Sequence, residues 1–540
     1  MSTHITEQRN GKLISFSLGI ISGISSFLFL TVLNSLIGQL LNDSYKEIGF
    51  IYMVLFAFVI LLYVWSRRAL SGNLIILSQT TFWKTRSEIL KVLLKADYEF
   101  LRRHNNVIQS ALTYDVNVVT QGALSSVQFF TSTVVVIACL VYMAIESLPL
   151  FFLTLVVAAA GVIVYLVSAS KNNKQFSQSR ELENTFMEYF NALIRGAKEI
   201  QIDRKKGEDV YNQKIIPIAV QSHENNSKAY IGFLNNQIVG QVMFYLLIAS
   251  ILVYFGVALA IEKTVIINFL FILLYLLGSL EAIMVLLPGI MQAKVSSDRI
   301  ERLKKELSGG ITLADEAGQT TPINFRRIEI VDMIYHYTGP KDVNTFQIGP
   351  INWQLKRGEI QFIYGGNGSG KTTFIHAVLG LLNTQQGILE LNGEAVKAEH
   401  KHHYKQLFSV VFNDFYLFDE FYGNRDFDKE RAKFYLQLFE IESKVEIIET
   451  GFSTVDLSTG QRKRLALIAA ILENRPIIFL DEWAADQDPH FRKKFYTEIL
   501  TLLKREGFTI LAITHDDAYY HCCDKLYKMD YGKLYEETTH

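Results

Sequence analysis

The sequence has few of the features that mark secreted, disordered or nucleic-acid-binding proteins. Among its 540 residues are three cysteines and eight prolines, and charged residues make up 20% of the chain. Three cysteines cannot form a disulfide framework, which excludes a small disulfide-stabilised secreted protein. Lysine and arginine number 53 against 54 acidic residues, so the net charge is −1 and provides no overall positive field for nucleic acid.

Apolar residues are abundant instead. They make up 49% of the chain, and the mean hydropathy is +0.18, which points to a lipid-facing surface. A helix needs about 20 apolar residues to cross a hydrocarbon layer of ~30 Å. Six segments of suitable length lie in the first 300 residues, at 13–40, 48–66, 123–145, 149–168, 237–261 and 265–290. The sequence therefore predicts a multidomain membrane protein in which residues 1–302 form a six-helix transmembrane bundle in a phospholipid membrane.

The connections between these segments differ in length and charge. Three are short and carry little positive charge, whereas residues 67–122 and 169–236 are long and rich in lysine and arginine. Arg67 and Arg68 stand directly beside a predicted membrane segment, and the positive-inside rule places both long loops in the cytoplasm. Their helical periodicity predicts long helices that extend from the membrane, although an unrelated soluble helical hairpin would give a similar pattern.

From about residue 303 the composition changes. Residues 303–324 are polar and contain glycine, which is typical of a linker. In residues 325–540, short apolar runs of strand length alternate with helical patterns. This alternation predicts an α/β domain.

A glycine-rich loop follows the apolar run EIQFIY and precedes a helical pattern. It matches G-x-x-x-x-G-K-[ST] in the strand–loop–helix context that this motif requires. Its backbone N–H groups and the helix N-terminus form an anion site, with Lys371 in reach of the outer phosphates and Thr372 a ligand for Mg²⁺. The alternative is a chance glycine-rich turn. The predicted ATP-binding residues are Gly365, Gly366, Asn367, Gly368, Ser369, Gly370, Lys371, Thr372 and Thr373.

A second motif, PIIFLDE, is an apolar strand that ends in Asp481 and Glu482. In an α/β sheet these carboxylates would lie at the strand's carboxyl end, where ligands bind. Asp481 is predicted to hold Mg²⁺, and Glu482 to polarise the attacking water as general base. Alone, two acids after a strand also describe an ordinary solvated strand end, and the nearby phosphate loop favours the catalytic interpretation.

The stretch LSTGQ, residues 457–461, precedes a basic and then apolar helix. Ser458 and the amides around Gly460 would form a second helix N-terminus suited to a phosphate. An ordinary N-capped helix explains the same residues, and spacing alone leaves both interpretations open.

Together these motifs resemble the ATP-binding cassette (ABC) family. LSTGQ differs by one residue from the signature LSGGQ and lies 23 residues before Asp481. Residues 325–540 resemble an ABC ATPase domain with a P-loop, and the six-segment half resembles the membrane domain of an exporter-type half-transporter. The resemblance implies a homodimer, in which Ser458, Gly460 and Gln461 of one protomer complete the ATP site of the other.

Further roles follow from the resemblance alone. It implies that Tyr337 stacks on adenine, although a core strand tyrosine is the alternative. It implies that His515 contacts the γ-phosphate and that Asp488 belongs to the D-loop. Asn413 stands where the family has glutamine, and the shorter amide favours a water-bridged contact with Mg²⁺. Segments 97–103 and 197–202 are candidate coupling helices.

The run DEWAADQDPHFRKKFY, with LSTGQRKRLAL and YGKL, resembles bacterial exporters of cyclic and lasso-type peptides and of peptide siderophores. The resemblance implies ATP-driven export of peptide-like cargo across a bacterial inner membrane, with an outer-membrane partner as a further expectation. A lipid or multidrug exporter, a siderophore importer on the exporter fold, and an ATP-gated regulator or channel are the alternatives.

One carboxylate lies inside a predicted membrane helix. Glu281 falls in the sixth segment, and an intramembrane carboxylate suggests a functional site. It could meet cargo in a cavity that Gln237 and Gln241 also line, or it could be satisfied by a neighbouring helix.

Overall fold

The computed structural model describes residues 2–41, 49–259, 261–309, 324–336 and 347–538. It divides into two compact units. One comprises Met1–Ala96 and Phe100–Gly309, and the other comprises Asp97–Glu99 together with Gly310–His540.

The described part of the N-terminal unit is helical. Its helices, in chain order, are α1 (Ser2–Leu41), α2 (Gly49–Leu93), α3 (Tyr98–Ser110), α4 (Val116–Glu146), α5 (Leu148–Arg195), α6 (Ala197–Ile202), α7 (Arg204–Val210), α8 (Ile216–Ser250), α9 (Gly256–Ala258) and α10 (Lys263–Gly309). Short π-helical turns occupy Ala111–Asp115, Tyr211–Ile215 and Ile251–Phe255.

In their described residues, the six predicted membrane segments lie almost entirely in helices of this unit. Among the described residues, five helical stretches are long and apolar enough to cross a membrane, and α5 contributes a shorter apolar stretch at Leu148–Val164. The fifth predicted segment begins in α8 and continues through the π-helical turn into α9. The predicted segments therefore coincide with helices, and their bounds within a membrane stay a prediction.

Long helical extensions follow the apolar segments, as the periodicity predicted. α2 continues to Leu93 and α10 to Gly309. The part of α2 beyond residue 66 is about 40 Å long at ~1.5 Å per residue. Residues 303–309, predicted as part of the linker, continue α10.

A buried ion pair connects these extensions. Asp115 is 1% exposed, and its Oδ1 lies 2.8 Å from Nη2 of Arg180 on α5. The same carboxylate accepts a hydrogen bond from Ser296 on α10, 2.7 Å away. Removing one member of a buried pair costs about 3–5 kcal/mol, because the other charge stays buried and uncompensated. The network therefore holds the extensions of α5 and α10 against the π-helical turn that ends at Asp115.

The described residues of the C-terminal unit form two sheets and six α-helices. Its strands are β1 (Arg327–His336), β2 (Gln347–Lys356), β3 (Ile360–Tyr364), β4 (Gln386–Leu391), β5 (Glu394–Ala395), β6 (Phe408–Val411), β7 (Ile477–Asp481), β8 (Thr509–Ile513), β9 (Lys525–Asp530) and β10 (Lys533–Glu537). Its helices are α11 (Lys371–Val378), α12 (Lys401–Lys405), α13 (Lys429–Leu438), α14 (Thr459–Leu472), α15 (Pro489–Lys494) and α16 (Leu500–Arg505).

The larger sheet positions the functional loops. Its strand order is β10-β9-β3-β8-β7-β6, and β9, β3, β8, β7 and β6 run parallel. Both of its faces are covered, since Phe362 and Ile363 enter different apolar clusters although they are neighbours on β3. β7 is buried at all five positions, which matches its unbroken apolar sequence. The loops after β3, β6, β7 and β8 consequently meet at one edge of the sheet.

The smaller sheet is antiparallel, in the order β2-β1-β4-β5. The segment Asp97–Glu99 groups with this C-terminal unit. There the ring of Tyr98 lies edge-on to that of His376, with centroids 5.6 Å apart. Tyr98 belongs to the first segment predicted as a coupling helix, and the second, 197–202, forms the short helix α6.

Candidate nucleotide-binding site

The phosphate-binding loop joins β3 to α11 as predicted. Gly365 has φ +152°, and a Cβ there would lie 2.1 Å from the carbonyl oxygen of Met529. Gly370 adopts φ +108° directly before α11. Only glycine fits these two positions without strain, because one is pressed against backbone and the other is left-handed. The chain thus turns sharply between the end of β3 and the N-terminus of α11.

The Lys371 ammonium and the Ser369 hydroxyl are the polar side-chain groups at this loop. The Lys371 ammonium donates to the carbonyl oxygens of Gly365 at 2.7 Å and Gly366 at 3.1 Å. Burial lowers the pKa of Lys371, while the carboxylates of Glu482 and Asp481 raise it. Among the described residues the buried Ser369 hydroxyl has no hydrogen-bond partner. A cationic side chain, an unused hydroxyl and free helix amides together fit a polyphosphate.

The predicted acids lie at the end of β7. Asp481 is 8% exposed, and burial, together with the neighbouring charge of Glu482, raises its pKa. Glu482 adopts the left-handed conformation, with φ 46° and ψ 37°. Non-glycine residues rarely take this conformation, and such strain concentrates at functional sites.

Glu482 contacts two other predicted site residues. Its Oε1 lies 3.3 Å from Nε2 of His515, in the loop after β8. Its Oε2 accepts a hydrogen bond of 3.4 Å from Asn413, in the loop after β6. The adjacent parallel strands thus bring together three side chains separated by up to 102 positions in the sequence. This arrangement can orient a water molecule and withdraw its proton.

Lys463 on α14 is a site residue that sequence reasoning missed. It is 1% exposed, and its ammonium donates to Asn413 Oδ1 at 3.1 Å and to the backbone oxygen of Glu482 at 3.0 Å. It also forms an ion pair of 2.7 Å with Asp486. These contacts use all three donors of the ammonium. In the sequence this lysine stands in the basic run RKR, which suggests a solvated surface and gives no sign of burial.

The signature stretch begins α14. Ser458 is the N-cap residue, yet its side chain makes no capping hydrogen bond and is exposed. The Gly460 carbonyl accepts a hydrogen bond of 3.0 Å from Gln487, and a Cβ at Gly460 would lie 2.7 Å from the oxygen of Asp486. The Ser458 hydroxyl therefore remains available for a phosphate. Gln461 stands in the first turn of the same helix.

Asp488 has partners within its own protomer. Its carboxylate accepts a hydrogen bond of 2.9 Å from the backbone N–H of Phe491, which caps α15, and another of 2.9 Å from Arg464. The capping bond and the Arg464 charge lower the pKa of Asp488. The structure thus gives this residue a role in shaping the D-loop. Tyr337, predicted to stack on adenine, lies outside the described residues.

The predicted cargo residues lie in the N-terminal unit. Gln241 on α8 donates a hydrogen bond to the carboxylate of Glu281 on α10. The neighbouring-helix partner expected for a structural carboxylate is therefore present. Glu281 also lines two cavities, one shared with Gln241 and the other with Gln237. The structure accommodates both interpretations of Glu281.

Comparison with known proteins agrees with this geometry. Residues 348–485 match the ABC transporter family. The ATP-binding protein SyrD of Pseudomonas syringae pv. syringae is 30% identical over 531 residues, which is 95% of this chain and 92% of SyrD. The lactococcin-A transport/processing ATP-binding protein LcnC of Lactococcus lactis subsp. lactis is 21% identical over 462 residues, covering 82% of this chain and 62% of LcnC.

A solved structure shares the whole fold. A bacterial Atm1-family ABC exporter, solved with ATP bound, aligns with 98% of this chain and 94% of its own, with a TM-score of 0.81 at 14% identity. Fold and site together define a membrane protein with an ATP-hydrolysing P-loop domain. The chain belongs to the ABC transporter family and is an exporter-type half-transporter, with one membrane domain fused to one ATPase domain.

Replacement of Glu482 tests the catalytic arrangement. Glu482→Gln retains the shape of the side chain but removes its basicity. ATP binding should persist while hydrolysis falls by roughly 10²- to 10⁴-fold, the contribution of a general base. Steady-state ATPase and equilibrium nucleotide binding measure the two effects. Glu442→Gln, at an exposed carboxylate outside the site, is the control, and near-normal hydrolysis by Glu482→Gln would show that another group activates the water.

Replacement of Lys463 tests the connection that its ammonium makes between Asn413 and Glu482. Lys463→Met should lower kcat for ATP hydrolysis by roughly 10- to 100-fold with little change in KM, because Asn413 and Glu482 lose their shared support. Lys463→Gln, which can still donate to both, should recover part of the rate. The exposed Lys493→Met is the matched control. A proportional rise in KM, or equal losses in both Lys463 variants, would contradict a positioning role.

Proposed function

We propose that the protein exports a peptide-like cargo, such as a cyclic or lasso-type peptide or a peptide siderophore, across a bacterial inner membrane. The contact of Glu482 with both His515 and Asn413 carries the ATP-driven part of this proposal, because it assembles a hydrolytic site from three loops. The motif resemblance favours peptide cargo. SyrD, which aligns with 95% of this chain, is named an ATP-binding protein, and the lactococcin-A transport role in the name of LcnC supports a transport role.

The working unit in this proposal is a homodimer with two equivalent ATP sites. Lys371 of one protomer would hold the phosphates, and Ser458 of the other would contact the same ATP. The exposed, uncapped hydroxyl of Ser458 at the start of the 14-residue helix α14 supports this role. A helix N-terminus of this length favours an anion.

Hydrolysis at each site would divide its tasks among a few side chains. Lys371 pairs with the phosphate charge, Glu482 orients and deprotonates the water, and His515 contacts the γ-phosphate. Among the described residues no cluster of three or more His, Cys, Asp and Glu side chains could hold a metal ion.

Mg²⁺ fits the oxygen groups that the chain offers. The carboxylate of Asp481 and the hydroxyl of Thr372 are the hard oxygen ligands that this ion prefers, and Asn413 would reach it through water. When bound, Mg²⁺ neutralises charge on the phosphates. Because Asp481 is buried at the end of β7, packing holds its carboxylate in a fixed position.

Coupling to transport would be a rigid-body switch. ATP binding closes the cytoplasmic halves of the dimer and hydrolysis reopens them. The buried Asp115–Arg180 pair lets the extensions of α5 and α10 move as one body. Segments 97–103 and 197–202, the predicted coupling helices, would transmit this motion from the ATPase domain to the membrane domain.

ATP-dependent uptake into inside-out vesicles tests the proposal. Labelled cyclic and lasso peptides should accumulate in vesicles with the intact protein and ATP, and should stay outside in Glu482→Gln vesicles. Matched vesicles receive a fluorescent phospholipid and a cationic dye. Accumulation of lipid or dye without peptide would contradict peptide export and favour a lipid or multidrug exporter.

Two further outcomes would distinguish an importer and a gated channel from an exporter. Loss of preloaded siderophore from these vesicles on ATP addition would indicate an importer. ATPase activity without uphill movement of any probe would favour a gated channel or regulator.

A further inference from the structure

The N-terminal unit contains a polar cavity of about 430 Å³. Its walls come from α2, α4, α8 and α10, which all carry predicted membrane segments. The polar lining residues are Arg67, Gln128, Thr131, Ser132, Gln237 and Glu281. Only Gln237 and Glu281 of these were predicted as cargo residues, so the structure adds a cationic group and residues of α2 and α4.

The two charged groups of the cavity are not neutralised by each other. Among the described residues Arg67 has no ion-pair partner, and Glu281 is bonded to the neutral amide of Gln241. The Arg67 side chain is exposed and Glu281 is half-buried, so an occupant can reach both charges, and hydrogen bonds between charged groups are stronger than those between neutral groups. An occupant with one anionic and one cationic group would therefore match this cavity better than an occupant of either single charge.

A smaller, mostly apolar cavity of about 80 Å³ adjoins at Glu281. Phe244, Leu277 and Met284 contribute to its walls. Gln241 and Glu281, which form the hydrogen bond between α8 and α10, also line it. Its size suits one apolar side chain and not the two long chains of a phospholipid.

We infer that these cavities bind a zwitterionic peptide, an inference that rests on the proposed function and specifies its cargo. The cargo carboxylate faces Arg67, and its ammonium or guanidinium group faces Glu281. Gln128, Ser132 and Gln237 bond its peptide groups, and an apolar side chain enters the smaller cavity. Amide and hydroxyl side chains both donate and accept hydrogen bonds, which complements a peptide backbone.

The test uses four fluorescent peptides with the same apolar sequence. One carries a lysine and a free carboxylate, one an amidated terminus, one glutamine in place of lysine, and one both changes. Binding is measured by anisotropy without nucleotide, on the full-length protein in phosphatidylcholine nanodiscs. The zwitterion should bind the wild-type protein about tenfold more tightly than either singly charged peptide, the usual effect of one charge-assisted hydrogen bond.

Two variants assign the charges. Glu281→Gln should abolish the preference for the zwitterion over the anionic peptide, and Arg67→Gln should abolish its preference over the cationic peptide. Arg68→Gln changes the adjacent arginine, which is exposed like Arg67 but does not line the cavity, and should keep both preferences. Size-exclusion elution reports whether each variant is folded, and the wild-type series tests the inference without any mutation.

Equal binding of the four peptides, or an equal shift in Arg67→Gln and Arg68→Gln, would overturn the inference. Displacement of the zwitterion by phosphatidylethanolamine in the nanodisc would overturn it in favour of a lipid occupant. These results are separable from failure of export, because binding is measured without ATP. A charge preference that holds while vesicles accumulate no peptide would contradict export alone, whereas accumulation without charge preference would contradict the cavity assignment alone.

Discussion

The hydrolytic site that we propose depends on one constraint, that the carboxylate of Glu482 is held at the carboxyl edge of a parallel sheet. β3, β8, β7 and β6 lie side by side, so the loops that follow them meet at that edge. Glu482 then contacts residues from two of those loops at 3.3 and 3.4 Å. Because the strands are buried on both faces, the apolar core fixes the positions of the reacting groups.

Lys463 extends this constraint to the D-loop. Its ammonium contacts Asn413, the backbone of Glu482 and Asp486, and so connects the loop after β6 with the loop after β7. Asn413 has a shorter side chain than the glutamine of the family pattern, yet it reaches Glu482 while Lys463 holds its oxygen.

The sequence predicted those features that local pattern determines. The apolar runs predicted as membrane segments coincide with helices, and glycine spacing with an adjoining strand located the loop between β3 and α11. It did not reveal contacts between distant residues, since Asp115 and Arg180 are 65 positions apart and Lys463 stands 50 positions from Asn413. Their burial depends on which helices pack together. Arg67 likewise marked membrane orientation in the sequence, and only the packing of four helices puts it in a cavity with Glu281.

Complementation between mutant protomers tests the central claim, that one protomer's signature residues act on the ATP of the other, most directly. Differently tagged protomers are co-expressed and heterodimers are purified through both tags. Lys371→Ala paired with Ser458→Arg leaves one complete site if Ser458 acts across the dimer, whereas the double mutant paired with wild type leaves none. The account predicts ATP hydrolysis by the first heterodimer well above that of the second. Activity in the second and none in the first would show that each protomer serves its own ATP and would contradict the account.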